Sequence, residues 1–447
     1  MIRILKFNEL TPEEVFARTE PTVNVAGTVS AIIDDVRTRG DEAVIEYAAK
    51  FDGIDPENFT LELTEEEKQA ALEEVDRVHP GLREILARAA ANIVKFHSKQ
   101  VRSSFIINDT EGIVMGQKVV PLERAGLYVP GGTAAYPSTV LMDTIPALIA
   151  GCKEILMVTP PNADGSVGCA IVAAAAAAET AAGGAAAATG TAGAQGSGRV
   201  RIFKTGGAQA IAALAYGTAT IPKADKIVGP GNAFVAEAKR QVFGKVSIDM
   251  IAGPSEILAV SDGKTDPVWL AADMLSQAEH DKNASAVLVT DSAELALAVQ
   301  AEIERQLPLL EREEIARASI ENNGKIIVAD DLSQAIEISN EIAPEHLELC
   351  VDDPFDWLSR IRNAGSVFMG RNCPEALGDY FAGPNHTLPT SGTARFSSPL
   401  SVDDFVKKMQ YTYYTQDAVS AVADDIAAFA EVEGLTGHAR SILTRKK

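Results

Sequence analysis

Short apolar runs alternate with longer helical patterns along the chain from Arg124 onward. In the first part of this region, strands are predicted at 125–129, 154–159, 200–204 and 226–228, and helices at 138–150, 163–178, 208–216 and 233–243. After a turn at Gly253, the alternation continues with predicted strands at 257–260, 284–290, 324–329, 347–351 and 365–369. Such alternation is typical of βαβ units that build a parallel sheet. The sequence therefore predicts an α/β protein with two tandem Rossmann-like domains, each with an incomplete parallel sheet.

The two ends of the chain follow other patterns. Residues 1 to about 115 are predicted to be mainly helical, with a capping box formed by Thr64 and Glu67 at the start of one helix. Strand-like runs at 104–108 and 112–120 follow. From Thr390 onward, a passage rich in Ser, Gly and Pro leads into helical segments that include 417–429. This end is predicted to be an extended C-terminal arm rather than a third core.

One segment of the first α/β region has almost no large apolar side chain. Residues 179–198 consist largely of Ala, Gly, Thr and Ser. A segment of this composition buries too little apolar surface to order itself. We expect a mobile surface loop here, and the alanines leave a helical extension open as the alternative.

Composition and charge narrow the class of protein. With 46% hydrophobic and 23% charged residues, the 447-residue chain is expected to be globular with a large core. Its net charge of -22 would repel a phosphate backbone, so nucleic acid is not expected as a partner. The longest apolar run, 170–178, is far shorter than the roughly 20 residues that span a bilayer, so no membrane partner is expected. The N-terminal sequence lacks a signal-peptide pattern, which predicts a cytoplasmic location.

Three glycine-bearing turns lie in the first α/β region, at 129–132, 206–209 and 229–232, and each follows a predicted strand. Backbone N–H groups and helix N-termini at such positions bind nucleotides or phosphates in open α/β sheets. None of these turns matches the Gly-x-Gly-x-x-Gly pattern, because Phe234 stands where the third glycine would be. A tight turn without a ligand is the alternative for each one alone, whereas three in one domain favour a nucleotide or phosphate site.

Two further motifs bring polar side chains next to apolar strands. Ser255 stands on a turn directly before a predicted strand, whereas Gln277 and His280 are three residues apart on one face of a helix end. Glu345 and His346 are adjacent where a predicted helix leads into a strand. A carboxylate in this setting could activate a water, and an imidazole could shuttle protons near neutral pH. A simple surface pair is the alternative.

The chain contains only six histidines. Two of them, His79 and His97, lie in the helical N-terminal region and are predicted to be structural. The other four stand beside polar, turn-like residues; they are His280, His346, His386 and His438. Together with Asp379 they offer nitrogen and oxygen ligands that suit zinc or a similar divalent ion.

Five separated blocks of the chain resemble the histidinol dehydrogenase family. They are Ile248-Asp-x-x-Ala252-Gly-Pro-Ser-Glu256 continuing to Glu279-His280, Ala343-Pro-Glu-His346-Leu, Gly378-Asp379-Tyr380, Asn385-His386-x-Leu-Pro-Thr, and Glu433-Gly-Leu-Thr-x-His438. The blocks follow the order of the family, and the resemblance covers essentially the whole chain. It implies a zinc-dependent, NAD-linked oxidation of L-histidinol through L-histidinaldehyde to L-histidine, the last step of histidine biosynthesis.

The resemblance also implies roles for individual residues. One zinc ion per subunit would be bound by Gln277, His280, Asp379 and His438. NAD would be bound by Tyr128, Gln209 and Asn232. The substrate would contact Ser255, His346, His386 and Glu433 in addition to the zinc ligands. His346 would accept the alcohol proton, and Glu345 would deprotonate the water that hydrates the aldehyde.

The resemblance further implies a homodimer with shared active sites, in which the C-terminal arm carries Glu433 and His438 to the partner subunit. It assigns four regions to the chain: an N-terminal helical arm at 1–25, an α/β domain with most catalytic and zinc residues at 26–122 plus 257–389, an NAD-binding α/β domain at 123–256, and a C-terminal dimerisation arm at 390–447. The chain departs from the family in one respect, because segment 179–198 is longer than the usual connection.

Two other functions remain as alternatives at this level. One is a zinc-dependent dehydrogenase of the same fold that acts on another amino alcohol. The other is a catalytically silent protein that binds zinc and a nucleotide. Turnover of histidinol, of another alcohol or of neither would distinguish the three.

Overall fold

The computed structural model describes residues 1–9, 11, 15–16, 18, 24–131, 136–189 and 198–447, of which 184–189 are described by their backbone only. Contacts within the chain divide it into two units. The main unit comprises Met1–Gln100 and Glu123–Phe405, and the second unit comprises Val101–Leu122 and Val406–Lys447.

The chain begins with one strand and a series of helices in the main unit and then enters the second unit. In order, these elements are β1 (Arg3–Lys6), α1 (Ala26–Arg39), α2 (Asp41–Asp52), α3 (Glu65–Val78), α4 (Leu82–His97), β2 (Phe105–Ile107) and β3 (Ile113–Pro121). A capping box starts α3: the Thr64 hydroxyl accepts from the Glu67 N–H (3.2 Å), and Glu67 Oε2 accepts from the Thr64 N–H (2.7 Å). The predicted cap is therefore confirmed.

A five-stranded parallel sheet follows in the main unit. Its strands and helices are β4 (Arg124–Tyr128), α5 (Pro137–Ala150), β5 (Glu154–Thr159), α6 (Cys169–Thr189), β6 (Arg199–Lys204), α7 (Gly207–Tyr216), β7 (Lys226–Val228), α8 (Ala233–Val242) and β8 (Ser247–Ile248). The strand order is β6-β5-β4-β7-β8. The order reverses between β4 and β7, and ligands of open parallel sheets bind at the carboxyl ends of the strands beside such a reversal.

A six-stranded parallel sheet forms the rest of the main unit. Its further elements are β9 (Glu256–Ser261), α9 (Pro267–Ala278), β10 (Ser285–Thr290), α10 (Ala293–Gln306), α11 (Glu313–Asn322), β11 (Lys325–Val328), α12 (Leu332–Ile342), β12 (His346–Cys350), α13 (Pro354–Leu358), β13 (Ser366–Met369) and α14 (Glu375–Leu377). The order is β1-β11-β10-β9-β12-β13, so β9 and β12 are neighbours. Strands β9 and β12 are buried along their whole length, because helices pack on both faces of a parallel sheet.

The second unit contains an antiparallel sheet in the order β14-β3-β2. Strand β14 (Val406–Tyr414) pairs with β3 over its whole length, and β2 pairs with the other side of β3. Helices α15 (Gln416–Val432) and α16 (Thr436–Leu443) follow. The side chain of Thr415 caps α15 by accepting from the Ala418 N–H.

The predicted α/β class is confirmed, and four details differ from the sequence prediction. Residues 3–6 are predicted to be helical but form β1, an edge strand that pairs with β11. Residues 179–189 continue helix α6 instead of starting a mobile loop, since a run of alanines favours helix; the remainder of that loop, 190–197, lies outside the described residues. Strands β8 and β14 are not predicted at all.

Parts of the sequence prediction fall on residues outside the described part of the chain. In the predicted arm at 1–25, residues 10, 12–14, 17 and 19–23 lie outside the described part of the chain, as does Gly132 of the first glycine turn. The boundaries of the four predicted domains stay a prediction. Among the described residues, no helix has the length and apolar character needed to cross a membrane.

Candidate active site

A cavity of about 720 Å³ opens between the two parallel sheets of the main unit. One wall is the loop at 229–233, at the carboxyl edge of the five-stranded sheet, and the opposite wall comes from the amino edge of the six-stranded sheet. A third part of the lining lies between Asp379 and Thr390. The cavity brings together eight of the residues singled out in the sequence: Asn232, Ser255, Gln277, His280, Glu345, His346, Asp379 and His386.

The backbone of Glu256 holds Glu345 and His346 in place. Its N–H donates to Glu345 Oε2 (2.9 Å), and its carbonyl oxygen accepts from His346 Nδ1 (3.0 Å). This is possible because β9 and β12 are parallel neighbours in which His346 is paired with Ile257. We call these two side chains the Glu345–His346 pair.

The two ring nitrogens of His346 have different surroundings. Nδ1 must carry a proton, because the carbonyl oxygen of Glu256 can only accept a hydrogen bond. Nε2 is buried and has no hydrogen-bond partner among the described residues, and it lies 3.6 Å from Asp379 Oδ1. Nε2 is therefore the nitrogen that remains for a proton exchange with a bound molecule.

Carboxyl groups surround the imidazole of His346. Glu345 Oε2 lies 3.7 Å and Glu375 Oε1 lies 3.6 Å from Nδ1, while Asp379 faces Nε2. The side chains of His346, Glu345 and Glu375 are no more than 8% exposed. The ring of Phe368 stacks on the imidazole with the centroids 6.0 Å apart. This cluster can hold a proton in several places.

Burial and charge shift the pKa values of this cluster. Burial raises the pKa of Glu345 to about 8 and that of Glu375 to about 7. Burial alone would lower the pKa of His346, but the charges of Glu375, Glu345 and Asp379 outweigh it and raise the pKa well above 6.5. Carboxyl groups with pKa values near neutrality can take up and release protons at the pH of the cell.

Asp379 and His386 also line the cavity, with Asp379 Oδ1 3.6 Å from His346 Nε2. Burial alone would raise the pKa of Asp379, but the close contact with His346 and the charges of His346, His386 and His280 hold it below its usual range. His386 Nδ1 donates to the Asp379 carbonyl (3.1 Å), and its Nε2 accepts from the Thr139 hydroxyl (3.3 Å). Burial lowers the pKa of His386, so this imidazole is neutral.

Three of the four predicted zinc ligands line this cavity. Gln277 Oε1 is buried and has no hydrogen-bond partner in the described part of the chain. His280 Nδ1 donates to the Ser276 carbonyl (2.9 Å), which leaves the lone pair of Nε2 available. With the Asp379 carboxylate, these are oxygen and nitrogen donors of the kind that divalent transition metals bind. Gln277, His280 and Asp379 therefore fit a zinc ion.

A second grouping of possible metal ligands overlaps with this set. Donor atoms of His346, Glu375 and Asp379 all lie within 4.8 Å of one another. Asp379 is common to both groupings, whereas His346 Nδ1 is already engaged by the carbonyl of Glu256. Asp379 is therefore the residue that either grouping would need in order to hold a metal.

Glu375 was not singled out in the sequence. It lies four residues before Asp379, so the two carboxyl groups are about one helical turn apart. This four-residue spacing is the sequence pattern that could have identified Glu375 as a site residue. A turn of π-helix at Gly378–Ala382 follows, and such turns are frequent at functional sites.

The three predicted NAD residues lie at the carboxyl edge of the five-stranded sheet. The Tyr128 hydroxyl accepts from the Gly207 N–H (3.1 Å), and Gln209 is buried in the first turn of α7 beside this contact. Asn232 caps α8, where its Oδ1 accepts from the N–H groups of Phe234 (3.0 Å) and Val235 (3.2 Å). Of the three residues, Asn232 lines the cavity.

The turns after β4 and β7 approach each other closely at the reversal of strand order. Gly229 has a φ of 110°, and a Cβ added there would lie 2.2 Å from the Tyr128 carbonyl oxygen. Only glycine fits this position without moving the backbone.

The remaining predicted site residues, Glu433 and His438, belong to the second unit. Both are exposed, Glu433 directly after α15 and His438 within α16. Of the two histidines predicted to be structural, His97 is fully buried and its Nδ1 bonds to Gln100 Oε1 (2.7 Å).

Comparisons with known proteins agree over almost the full length of the chain. The family model for histidinol dehydrogenase matches residues 17–446. The histidinol dehydrogenase of Clostridium acetobutylicum is 50% identical over 452 residues, which cover 100% of this chain and 99% of that protein. That of Geobacillus kaustophilus is 52% identical over 414 residues, which cover 93% of this chain and 92% of that protein.

A solved structure is similar as well. The crystal structure of histidinol dehydrogenase from Elizabethkingia anophelis superposes with a TM-score of 0.88 and 35% sequence identity, covering 99% of this chain and 98% of that one. The matched residues 17–446 include the whole cavity lining and all five sequence blocks. This chain is an oxidoreductase that belongs to the histidinol dehydrogenase family.

Proposed function

We propose that this chain oxidises L-histidinol to L-histidine through L-histidinaldehyde, in a zinc-dependent and NAD-linked four-electron reaction. Membership of the family supports the class of reaction, since the similar proteins are named histidinol dehydrogenase. The observation that carries the proposal is the Glu345–His346 pair: two groups able to transfer protons, held by the backbone of one residue beside a cavity.

In the first oxidation, His346 accepts the proton of the alcohol while a hydride leaves the carbinol carbon. Nε2 is the accepting atom, because Nδ1 already donates to the carbonyl of Glu256. The fixed Nδ1 contact also sets the plane of the ring, which keeps Nε2 directed at the substrate during the transfer.

In the second oxidation, Glu345 accepts a proton from the water that adds to the aldehyde. The pKa of this carboxyl group, raised to about 8 by burial, lies close to the working pH, where a general base is most effective. Loss of the second hydride from the deprotonated hydrate gives the carboxylic acid, which releases the third proton and becomes the carboxylate. Over the two steps, substrate and water together lose two hydrides and three protons.

When bound, zinc would hold and polarise the polar groups of the substrate, and NAD would take up each hydride. Gln277, His280 and Asp379 would hold the ion together with His438 of the partner subunit. Ser255, His386 and Glu433 of the partner subunit would contact the substrate. Coordination of Asp379 would also remove one of the charges that raise the pKa of His346, which favours the neutral imidazole that the first step needs.

The proposed NAD contacts are Tyr128, Gln209 and Asn232. Their positions support this part of the proposal, since β4 and β7 lie on either side of the reversal of strand order. Of the three residues, Asn232 lines the cavity that also contains the Glu345–His346 pair. These residues would hold NAD beside this cavity, where the cofactor would supply the hydride acceptor.

We further propose a homodimer with shared active sites. The second unit exposes large apolar side chains, each more than half accessible: Phe105, Tyr413, Phe429 and Val432. Exposed apolar side chains that cluster in one unit are typical of a protein interface. The cytoplasmic location expected from the sequence stays part of this proposal.

Variant His346→Asn provides a direct test of the proposal. Wild-type protein should form NADH from histidinol and lose this activity on treatment with a chelator. The variant should form NADH roughly 10² to 10⁴ times more slowly, because a general base is lost, while it retains bound zinc by metal analysis. Turnover of another amino alcohol but not of histidinol would favour the first alternative, and bound zinc and NAD without any turnover would favour the second.

A further inference from the structure

An arginine from the N-terminal segment reaches the backbone that holds the Glu345–His346 pair. Arg18 Nε donates to Glu256 Oε1 (2.6 Å), and one terminal nitrogen donates to Glu256 Oε2 (3.3 Å). The two residues are 238 positions apart in the sequence. The side chain of Glu256 is 9% exposed and that of Arg18 is 29% exposed, so the pair is largely shielded from solvent.

The same guanidinium also binds the end of helix α12. A terminal nitrogen of Arg18 donates to the carbonyl oxygen of Ile342 (2.5 Å), the last residue of that helix. A cation is favoured there, since the carbonyl groups at a helix C-terminus lack partners within the helix. The chain leaves the helix through Ala343, which has a positive φ of 51°, and enters β12 at His346.

Arg18 therefore fixes both flanks of the segment that carries the Glu345–His346 pair. On one flank it binds Ile342, three residues before Glu345. On the other flank it binds the side chain of Glu256, whose N–H and carbonyl hold Glu345 and His346. Movement of Glu256 or of the end of α12 would displace both proton-transfer groups at once.

The surroundings of Arg18 restrict where its side chain can lie. Val15, three residues earlier, is buried in the core with Leu258 and Leu347 of the two neighbouring strands. The backbone at Gly392 lies directly against Arg18, since a Cβ added to this glycine would come within 2.7 Å of a terminal nitrogen. A fixed guanidinium with a planar fork binds a carboxylate in one geometry, which a lysine cannot reproduce.

We propose that Arg18 is a positioning residue for Glu345 and His346. It touches neither side chain and acts through Glu256 and Ile342. Without Arg18, the carboxylate of Glu256 is left in a nearly buried place without its counter-charge, and it must move or take up a proton. Either change alters the backbone position on which both proton transfers depend. The inference rests on the roles given to the pair under the proposed function.

The test compares Arg18→Gln and Arg18→Lys with Arg395→Gln as a matched control. Arg395 donates to the Glu341 carbonyl (2.5 Å) at the same end of α12 but makes no contact with Glu256 in the described structure. The full-length, zinc-loaded proteins are compared by kcat and KM for histidinol and by thermal unfolding. The ring N–H signal of His346, assigned with His346→Asn, is followed by NMR in protein labelled with ¹⁵N-histidine.

Arg18→Gln should lower kcat by about 10 to 100-fold with a much smaller change in KM, because the proton-transfer groups are misplaced by a fraction of an ångström. Its His346 N–H signal should shift and exchange faster with solvent. Arg18→Lys should fall between this variant and the wild type. Arg395→Gln should keep the wild-type kcat and the wild-type signal.

A folded Arg18→Gln with an unchanged His346 signal would overturn the positioning role, as would a kcat within about twofold of the wild type. If Arg18→Gln does not fold, the kcat and the His346 signal of Arg18→Lys decide between the same outcomes. If wild-type protein forms no NADH from histidinol, the proposed function fails. The comparison of the His346 signal between the Arg18 and Arg395 variants then still decides whether Arg18 positions the imidazole.

Discussion

At the scale of single residues, buried carboxyl groups set the electrostatics of the main unit. Glu345 and Asp143 are both buried, and burial raises the pKa of each to about 8. The two differ in their surroundings: Glu345 lines the cavity and accepts from a backbone N–H, whereas Asp143 does not line it. Only the first can exchange a proton with a bound molecule.

Asp143 should make the stability of the protein depend on pH. Its Oδ1 accepts from the Thr387 hydroxyl (2.8 Å), and its Oδ2 has no hydrogen-bond partner among the described residues. The pKa in the folded protein, about 8, is above the ordinary value of 3.8, so the folded state keeps a proton that the unfolded chain has released. The stability from this group is thus present at low pH and is lost as the pH rises towards 8.

Replacement of Asp143 by Asn should remove this dependence. The free energy of unfolding of the wild type, relative to Asp143→Asn, should fall by up to ~1.4 kcal/mol per pH unit between about pH 5 and about pH 7. Urea unfolding of both proteins at each pH measures the difference. Parallel pH profiles of the two proteins would show that Asp143 carries no raised pKa.

The sequence identified some site residues and not others. Glu345 and His346 are neighbours in the chain, and Gln277 and His280 are one helical turn apart, so local pattern and family resemblance were sufficient. Arg18 meets Glu256 across 238 residues, and this contact depends on how the N-terminal segment packs. No local pattern predicts it. For Glu375, the four-residue spacing from Asp379 was a local signal, but its contact with His346 on another element could not be predicted in this way.

At the scale of elements, the strands of both parallel sheets were predicted to within about two residues, with the exceptions of β1 and β8. These strands lie in parallel sheets that are covered on both faces, so they appear in the sequence as continuous runs of apolar residues. Strands β1, β8 and β14 were missed, since each is an edge strand whose conformation is decided by a distant partner. Ile4 pairs with Ile326, and Val406 pairs with Pro121.

A buried ion pair joins three elements around the loop at 229–232. Lys239 of α8 pairs with Asp249, which follows β8, and both side chains are at most 3% exposed. Lys239 Nζ also donates to the Gly229 carbonyl (3.0 Å), and Asp249 Oδ2 accepts from the Gly229 N–H (2.8 Å). The pair therefore fixes the loop that leads to Asn232 and the cavity.

Lys239→Met should destabilise the protein strongly. Loss of one partner leaves the carboxylate of Asp249 buried without a counter-charge, which costs roughly 3 to 5 kcal/mol. Lys223→Met, at an exposed position on the loop before β7, should change the free energy of unfolding by only about 0.5 kcal/mol. Urea unfolding of the two variants provides the measurement. Equal, small effects of both would contradict a structural role for the buried pair.

At the scale of the whole molecule, the proposed chemistry needs two copies of the chain. The main unit supplies Gln277, His280 and Asp379 to one cavity, while His438 stands exposed in the second unit. The proposed shared site would account for the exposure of both His438 and several large apolar side chains in the second unit.

Mixed dimers test the sharing of sites. Neither His346→Asn nor His438→Ala should be active alone. In a heterodimer of the two, one site combines both defects and the other has neither. Because random mixing of equal amounts makes about half of all dimers heterodimers, the mixture should recover about a quarter of the wild-type activity. The mixture is refolded or coexpressed and assayed for NADH formation. Folded heterodimers without any recovered activity would contradict the shared site.

The central claim is that Glu345 and His346 divide two proton transfers between the two oxidations. The most direct measurement is the amount of NADH formed per histidinol, with the products separated, in the wild type and in Glu345→Gln. The wild type should form two NADH and one histidine, whereas Glu345→Gln should rapidly form one NADH and accumulate histidinaldehyde, since the water is no longer deprotonated. Formation of two NADH by Glu345→Gln at the wild-type rate would contradict the account.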